Sequence, residues 1–330
     1  MAAPDPAPQE APPGAIFDRL AQRRLIVVSG KGGVGRTTLA ALLGLAIAAR
    51  GRRVLVTTTG HDDRLGWMLG APSLPDRVHA VSERLHIQRL VPRVCLREYG
   101  AMVVRSERVS AAVFDNKIIR RLLQAIPGLD DFAVFGKAWH EAARGDAYDT
   151  VIFDGPATGH LLYTLGVPQA ILEAIPAGPL TREAQLIVDT LTDPASTEAV
   201  LVGLPERWPL TELAELGVAI RQQRRIAIET MVVNGMWPEA VPMLRPPAPE
   251  LDPQGTVAPV LATVAAIGQA GRRHREIVAQ WGQGELAQRC GVRSLLTLPW
   301  RWEGLCDLAS LEHLLAELEG GALIDHASSA

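Results

Sequence analysis

The sequence predicts an α/β protein with a doubly wound, mostly parallel sheet and a helical insertion, and three observations carry that reading. The first is a pair of short uncharged runs, Leu25-Ile26-Val27-Val28 and Val54-Leu55-Val56-Thr57. The second is what lies between them. A glycine-rich turn leads into Thr37 to Arg50, where Leu39, Leu42, Leu43, Leu45 and Ile47 make a helix apolar on most faces, and Gly51 stops it. Strand, loop, helix and strand within about 30 residues form a βαβ unit. The third is recurrence. Similar runs stand at Leu85 to Leu90, Thr150 to Asp154, Ala199 to Leu204, Met231 to Asn234 and Leu295 to Leu298, with helical patterns such as Leu210 to Arg225 between them. Strands apolar throughout belong to a parallel sheet covered on both faces. In such sheets ligands sit at the carboxyl ends of the strands.

Between the third and fourth strands, Arg97 to Ala143 is helical in pattern and reads as an insertion on one edge of the sheet. Met1 to Gly14 is rich in Ala and Pro, without the apolar centre of a signal peptide, and reads as disordered. Pro246 to Pro259 reads as a surface loop or linker. Leu308 to Leu318 is an acidic amphipathic helix. A membrane-surface helix is basic on its polar face, so this one is expected to pack on the domain. The organisation expected is a disordered tail over 1–20, one domain over 21–320 with a helical subdomain over about 92–146, and a flexible tail over 321–330.

The chain has 330 residues, is 48% hydrophobic and carries a net charge of −3. That is length enough for one large α/β domain or two smaller ones. Near-neutral charge without a basic stripe argues against a nucleic-acid partner. No segment has the long uncharged apolar stretch of a membrane span, so stable membrane insertion is not expected. Cys95, Cys290 and Cys306 are far apart and form no CxxC pair. They read as ordinary thiols in a reducing cytoplasm.

The turn after the first run is Ser29-Gly30-Lys31-Gly32-Gly33-Val34-Gly35-Arg36-Thr37-Thr38. Successive backbone N–H groups in such a turn make a nest for phosphate oxygens, and the helix that follows adds the positive end of its dipole. Gly30, Gly32, Gly33 and Gly35 let the backbone approach the anion. Thr37 is placed to ligate Mg²⁺, and Thr38 to bond a phosphate oxygen. The usual pattern has lysine where this chain has Arg36, a longer planar fork in place of a compact charge. Lysine is scarce here, found only at 31, 117 and 137, which makes Lys31 conspicuous.

These residues resemble a known group. Lys31-Gly32-Gly33-Val34-Gly35-x-Thr37-Thr38 is similar to the deviant Walker A loop of SIMIBI-class P-loop NTPases. Asp154-Gly155-Pro156-Ala157-Thr158-Gly159-His160 resembles the DTAPTGH switch II of the ArsA-like family of arsenite-pump and tail-anchored-protein targeting ATPases. Pro127-Gly128-Leu129-Asp130-Asp131, Leu204-Pro205-Glu206, Val232-Val233-Asn234 and Leu298-Pro299 match further stretches of that family, so the resemblance runs from about Leu25 to about Leu318. It implies ATP and Mg²⁺ as ligands. It implies that Lys31 reaches across a dimer to the partner's nucleotide, and that Thr37 and Asp154 hold Mg²⁺, Asp154 through water. It implies that Gly159 senses the γ-phosphate and Asn234 bonds adenine. Gly30 to Thr38, Val34 included, would cradle the phosphates, with Lys31, Arg36 and Asp154 as the catalytic set.

The chain also departs from that pattern. The family's switch I carries an aspartate after the second strand, where this chain has Thr59 within Thr57-Thr58-Thr59-Gly60-His61-Asp62-Asp63. Loss of a positioned general base removes about 10²–10⁴ in rate. Asp62 or Asp63 is a substitute if the loop is reshaped. Clustered thiolates, which arsenite would need, are absent. Val113, Phe114, Ile118, Ile119, Leu122 and Leu123 in the insertion either pack the subdomain or line a client groove. Two readings stand. One is a cytoplasmic ArsA-like ATPase, as a homodimer or as a heterodimer with an ArsA-like paralogue, acting on an unknown client. The other is a non-hydrolysing, ATP-binding regulatory subunit paired with an active paralogue.

Overall fold

The computed structural model describes residues 8–59, 63–71, 73, 76–92, 94–95, 98, 129–238 and 257–320. Nine strands form one sheet: β1 (Gln9–Glu10), β2 (Leu25–Gly30), β3 (Val54–Thr58), β4 (His79–Ala80), β5 (Leu85–Arg89), β6 (Thr150–Asp154), β7 (Thr197–Gly203), β8 (Thr230–Met236) and β9 (Ser294–Pro299). Their order is β1-β9-β8-β7-β2-β6-β3-β5-β4, and every pairing is parallel except β4 with β5. This is the doubly wound sheet that the apolar runs predict, with β2 near its centre.

The sheet is buried on both faces, and the alternation of side chains divides the core in two. Leu25, Val27, Leu55, Val151, Phe153, Ala199 and Leu201 face one cluster. Ile26, Val28, Val54, Val56, Ile152, Val200 and Val202 face the other. The first is covered by α4 (Leu129–Ala143), α5 (Thr158–Thr164), α6 (Val167–Ala174), α7 (Pro179–Thr192), α8 (Arg207–Ala219) and the second half of α9 (Val257–Gly282). The second is covered by α1 (Pro13–Leu20), α2 (Arg36–Ala49), α3 (Arg64–Met68) and α11 (Leu308–Leu318). A short α10 (Glu285–Cys290) precedes β9. Fully burying one such aliphatic side chain is worth about 1.5–3 kcal/mol, so these alternating rows hold the sheet centre and its carboxyl ends in place.

The disordered tail expected over 1–20 is corrected for its described part. Gln9 and Glu10 pair in parallel with Ser294 and Leu295. Pro13 starts α1 at a position where its missing N–H is no loss, and Ile16, Phe17 and Leu20 are then buried on one side of the helix. The Arg50 guanidinium lies over the Phe17 ring. Ala and Pro dominate the composition of this segment, and a single turn of apolar residues outweighs them once the sheet supplies a surface to pack on. The Pro-rich stretch read over 246–259 lies outside the described residues up to 256, and Pro259 belongs to the first turn of α9 rather than to a loop.

The described end of the insertion is α4, whose Phe132, Phe135, Ala138 and Trp139 are buried in the first cluster. The candidate client groove from Val113 to Leu123 falls outside the described residues, as do Pro127, Gly128 and Asp62. The C-terminal helix spans the residues expected and packs as expected. Asp307 caps it by accepting from the Ser310 N–H at 2.8 Å, and Leu311, Leu314 and Leu315 are buried.

Candidate nucleotide site

The glycine-rich turn leaves the carboxyl end of β2 and enters α2. Two of its glycines have a demonstrable reason. Gly30 closes β2 so near to β7 that a Cβ would run into the Val202 carbonyl oxygen. Gly35 caps α2 at φ 97°, a left-handed conformation that favours glycine, and a Cβ there would strike the Asn234 amide. Around Gly32 and Gly33 a Cβ would meet nothing within 4 Å, so the middle of the turn borders open space.

Beside this loop stands Asp154, the last residue of β6 and only 4% exposed. Sheet register sets it against Val28 on one side and Thr58 on the other. Thr37, in the first turn of α2, donates to Asp154 Oδ2 at 2.7 Å, and Thr58, closing β3, donates to the same oxygen at 2.9 Å. A carboxylate and two hydroxyls from three separate elements thus converge at the carboxyl edge of the sheet. Hard oxygen donors with one carboxylate, leaving room for phosphate and water, suit Mg²⁺. Thr58 escaped the sequence reading. Its signal was its place at a strand end, but a threonine in a β-branched run reads as strand filler.

The cationic residues are engaged elsewhere in the chain. Lys31 leaves its own loop and pairs with Glu212 of α8 at 2.6 Å, with 58% of its side chain exposed. Arg36 reaches past the loop and donates from Nη1 to the Gly155 carbonyl at 2.5 Å. Asn234 donates from Nδ2 to the Val34 carbonyl at 2.9 Å, so it braces the loop. Asn234 also lines a cavity of about 440 Å³ shared with Gly33, Thr38, Trp67, Trp300 and Arg301. Trp67 and Trp300 were not singled out in the sequence, because neither falls in a motif; they reach the loop only through the fold.

The segment after β6 begins rigidly. The Gly155 N–H donates to the Val28 carbonyl at 3.0 Å, and the Ser29 hydroxyl donates to the Pro156 carbonyl at 3.0 Å. Thr158 then starts α5, with Gly159 and His160 exposed on its first turn. Thr59 follows β3 directly. Asp63, one of the two substitute acids, forms an ion pair with Arg89 at the end of β5. Burial pushes the Cys95 thiol up to about 11 and the Cys290 thiol up to about 12. Both are therefore protonated at neutral pH, and neither offers a thiolate to a soft centre.

A glycine loop running from a central strand into a helix, with an aspartate closing the neighbouring strand, defines a P-loop NTPase of the α/β class. Residues 23–176 match the anion-transporting ATPase family model. Over that region the chain is similar to ArsA-like ATPases. It is 28% identical over 226 residues to ATPase BagA of Mycobacterium tuberculosis, covering 66% of each chain. It is 25% identical over 240 residues to a putative arsenical pump-driving ATPase of Halobacterium salinarum, covering 66% of this chain and 36% of that one. ATPase get3 of Schizosaccharomyces japonicus is 28% identical over 206 residues, covering 58% of this chain and 61% of its own length. The chain therefore spans just under two thirds of the first of these relatives and less of the others.

Proposed function

We propose that this protein binds ATP with Mg²⁺ and hydrolyses it slowly, using the reaction to drive a nucleotide-dependent cycle of dimer conformations. The observation that supports this best is the meeting of Thr37, Thr58 and Asp154 beside a glycine loop with open space at its middle. Bound Mg²⁺ would neutralise charge on the β- and γ-phosphate oxygens. Thr37 would ligate it directly and Asp154 through water, with Thr58 holding the carboxylate in place. The backbone N–H groups from Gly30 to Thr38 would carry the phosphates. Asn234 has one amide hydrogen and its carbonyl oxygen left for the edge of adenine, and Gly159 offers a backbone N–H to the γ-phosphate. Water adds to the γ-phosphorus as its bond to the bridging oxygen breaks, giving ADP and phosphate. Catalysis of this step rests on positioning and charge stabilisation, so a neutral Thr59 slows the reaction without abolishing it.

Lys31 would serve the partner's nucleotide in a homodimer or in a pair with a paralogue, exchanging its bond to Glu212 for a phosphate oxygen. An exposed pair of this kind is worth about 0–1 kcal/mol, so the exchange is easy. The cycle would act on a client protein in the cytoplasm. Among the described residues no helix is long and apolar enough to cross a membrane.

The test is phosphate release from MgATP by the purified protein beside Asp154→Asn, with ATP binding measured in parallel and mass followed by light scattering. Turnover that Asp154→Asn abolishes supports the ATPase. Binding without turnover moves the reading to the regulatory subunit. A monomer with and without MgATP removes the trans role of Lys31.

A further inference from the structure

Arginine at position 36 is the feature of the phosphate loop that the family pattern does not explain, and its contact gives it a role. A lysine here would be a single charge aimed at phosphate. Arg36 instead spans from the first turn of α2 to the opening peptide of switch II and donates to the Gly155 carbonyl. That peptide is gripped on its other side, since the Gly155 N–H donates to Val28 and the next carbonyl, of Pro156, accepts from Ser29. Gly155 is also pressed against β2, where a Cβ would lie 3.0 Å from the Val28 carbonyl oxygen. Switch II is thus tied to the phosphate loop by Ser29 and Arg36, and of the two only Arg36 carries a charge that a phosphate can claim.

A guanidinium has five N–H donors in a fixed fork. Arg36 uses one of them on Gly155, and it opens α2 directly after Gly35, partly buried. We infer that Arg36 is a positioning residue that holds Gly155 with one arm and takes phosphate oxygen with the others, so that nucleotide occupancy is conveyed to switch II through a single side chain. The inference deepens the nucleotide-binding reading above and rests on it for its second half only. The tie to Gly155 is a contact of the chain with itself. The shorter lysine keeps the charge near the phosphates and gives up the reach to Gly155, which makes Arg36→Lys the separating variant. Arg36→Met keeps the stem and gives up both.

The experiment is hydrogen exchange of the amides of His160 and Leu161, which bond to the Ala157 carbonyl at the start of α5. Full-length wild type, Arg36→Lys and Arg36→Met are compared without nucleotide, with MgADP and with MgATPγS, with equilibrium nucleotide binding and melting temperature measured alongside. Without nucleotide, both variants are expected to exchange about tenfold faster at these amides than wild type, the effect of losing one charge-assisted hydrogen bond. With MgATPγS, wild type gains protection there. Arg36→Lys binds nucleotide and gains none, and Arg36→Met binds more weakly. Equal exchange in wild type and Arg36→Lys without nucleotide overturns the tie. Protection by MgATPγS as large in Arg36→Lys as in wild type overturns the conveying role. Failure of wild type to bind nucleotide removes the reading of the site as a whole, and the ligand-free comparison still decides the tie. Melting temperatures close to wild type separate local release from global unfolding.

Discussion

The anionic and cationic groups around the phosphate loop are held differently. On the side toward β6 and β3, a buried carboxylate accepts from two hydroxyls, and all three groups are fixed by sheet register and the first turn of α2. The cations that would meet phosphate are instead committed through long side chains to partners within the chain, Lys31 to Glu212 of α8 and Arg36 to Gly155, the residue after β6. On the proposed reading the metal side is held by contacts within the chain, while Lys31 must trade its bond to Glu212 for phosphate and Arg36 keeps its bond to Gly155. Preorganised polar groups need no rearrangement at the moment of reaction, whereas traded ones make binding depend on what they release.

The largest effect is expected from breaking the organised side. Asp154→Asn should lower the rate of phosphate release by on the order of 10²–10³, the scale of losing one electrostatic stabiliser, and should flatten the dependence of nucleotide affinity on Mg²⁺. A variant with unchanged turnover would remove Asp154 from the metal site. Next comes supplying what switch I lacks. Thr59→Asp should raise kcat by on the order of 10² if the missing carboxylate is what limits the rate, read in the same phosphate-release assay. No gain would place the limit elsewhere in the cycle.

Asn234→Ala should weaken ATP binding by about tenfold and narrow its preference over GTP, since the amide braces Val34 and the residue lines the cavity; competition binding with the two nucleotides measures this. Equal affinity for ATP before and after the change would leave Asn234 as a brace alone. The smallest effect belongs to Glu212→Gln. Because the Lys31–Glu212 pair is exposed, stability in urea should shift by less than about 1 kcal/mol. A larger loss would mean the pair is structural and not available for exchange.

Much of the fold was legible because it rests on short-range pattern. Most long strands were readable as apolar runs, since burial on both faces of a parallel sheet disfavours charge; the exceptions are the buried Glu198 of β7, which is paired with Arg19 and Arg23, and Arg89 at the end of β5. The C-terminal helix was readable from its periodicity. The segment from Gln9 to Leu20 was not, because what orders it is the edge of β9 and the surface under α1, both formed by distant parts of the chain. In the site, Thr37 and Asp154 were legible from loop and strand-end position. Thr58, Trp67 and Trp300 were not, since no motif marks them and only the fold brings them to the loop.

What the sequence by itself determined is the glycine loop after an apolar strand, the aspartate at a strand end and the substitutions Arg36 and Thr59, all local features whose chemistry follows from residue type and spacing. What only the tertiary structure decided is where the long side chains of the loop go. Lys31 and Arg36 each have several rotatable bonds, and their partners Glu212 and Gly155 lie far away along the chain. Spacing can say that such a residue carries charge into a loop, but its direction is set by which carboxylate or carbonyl the fold brings within reach.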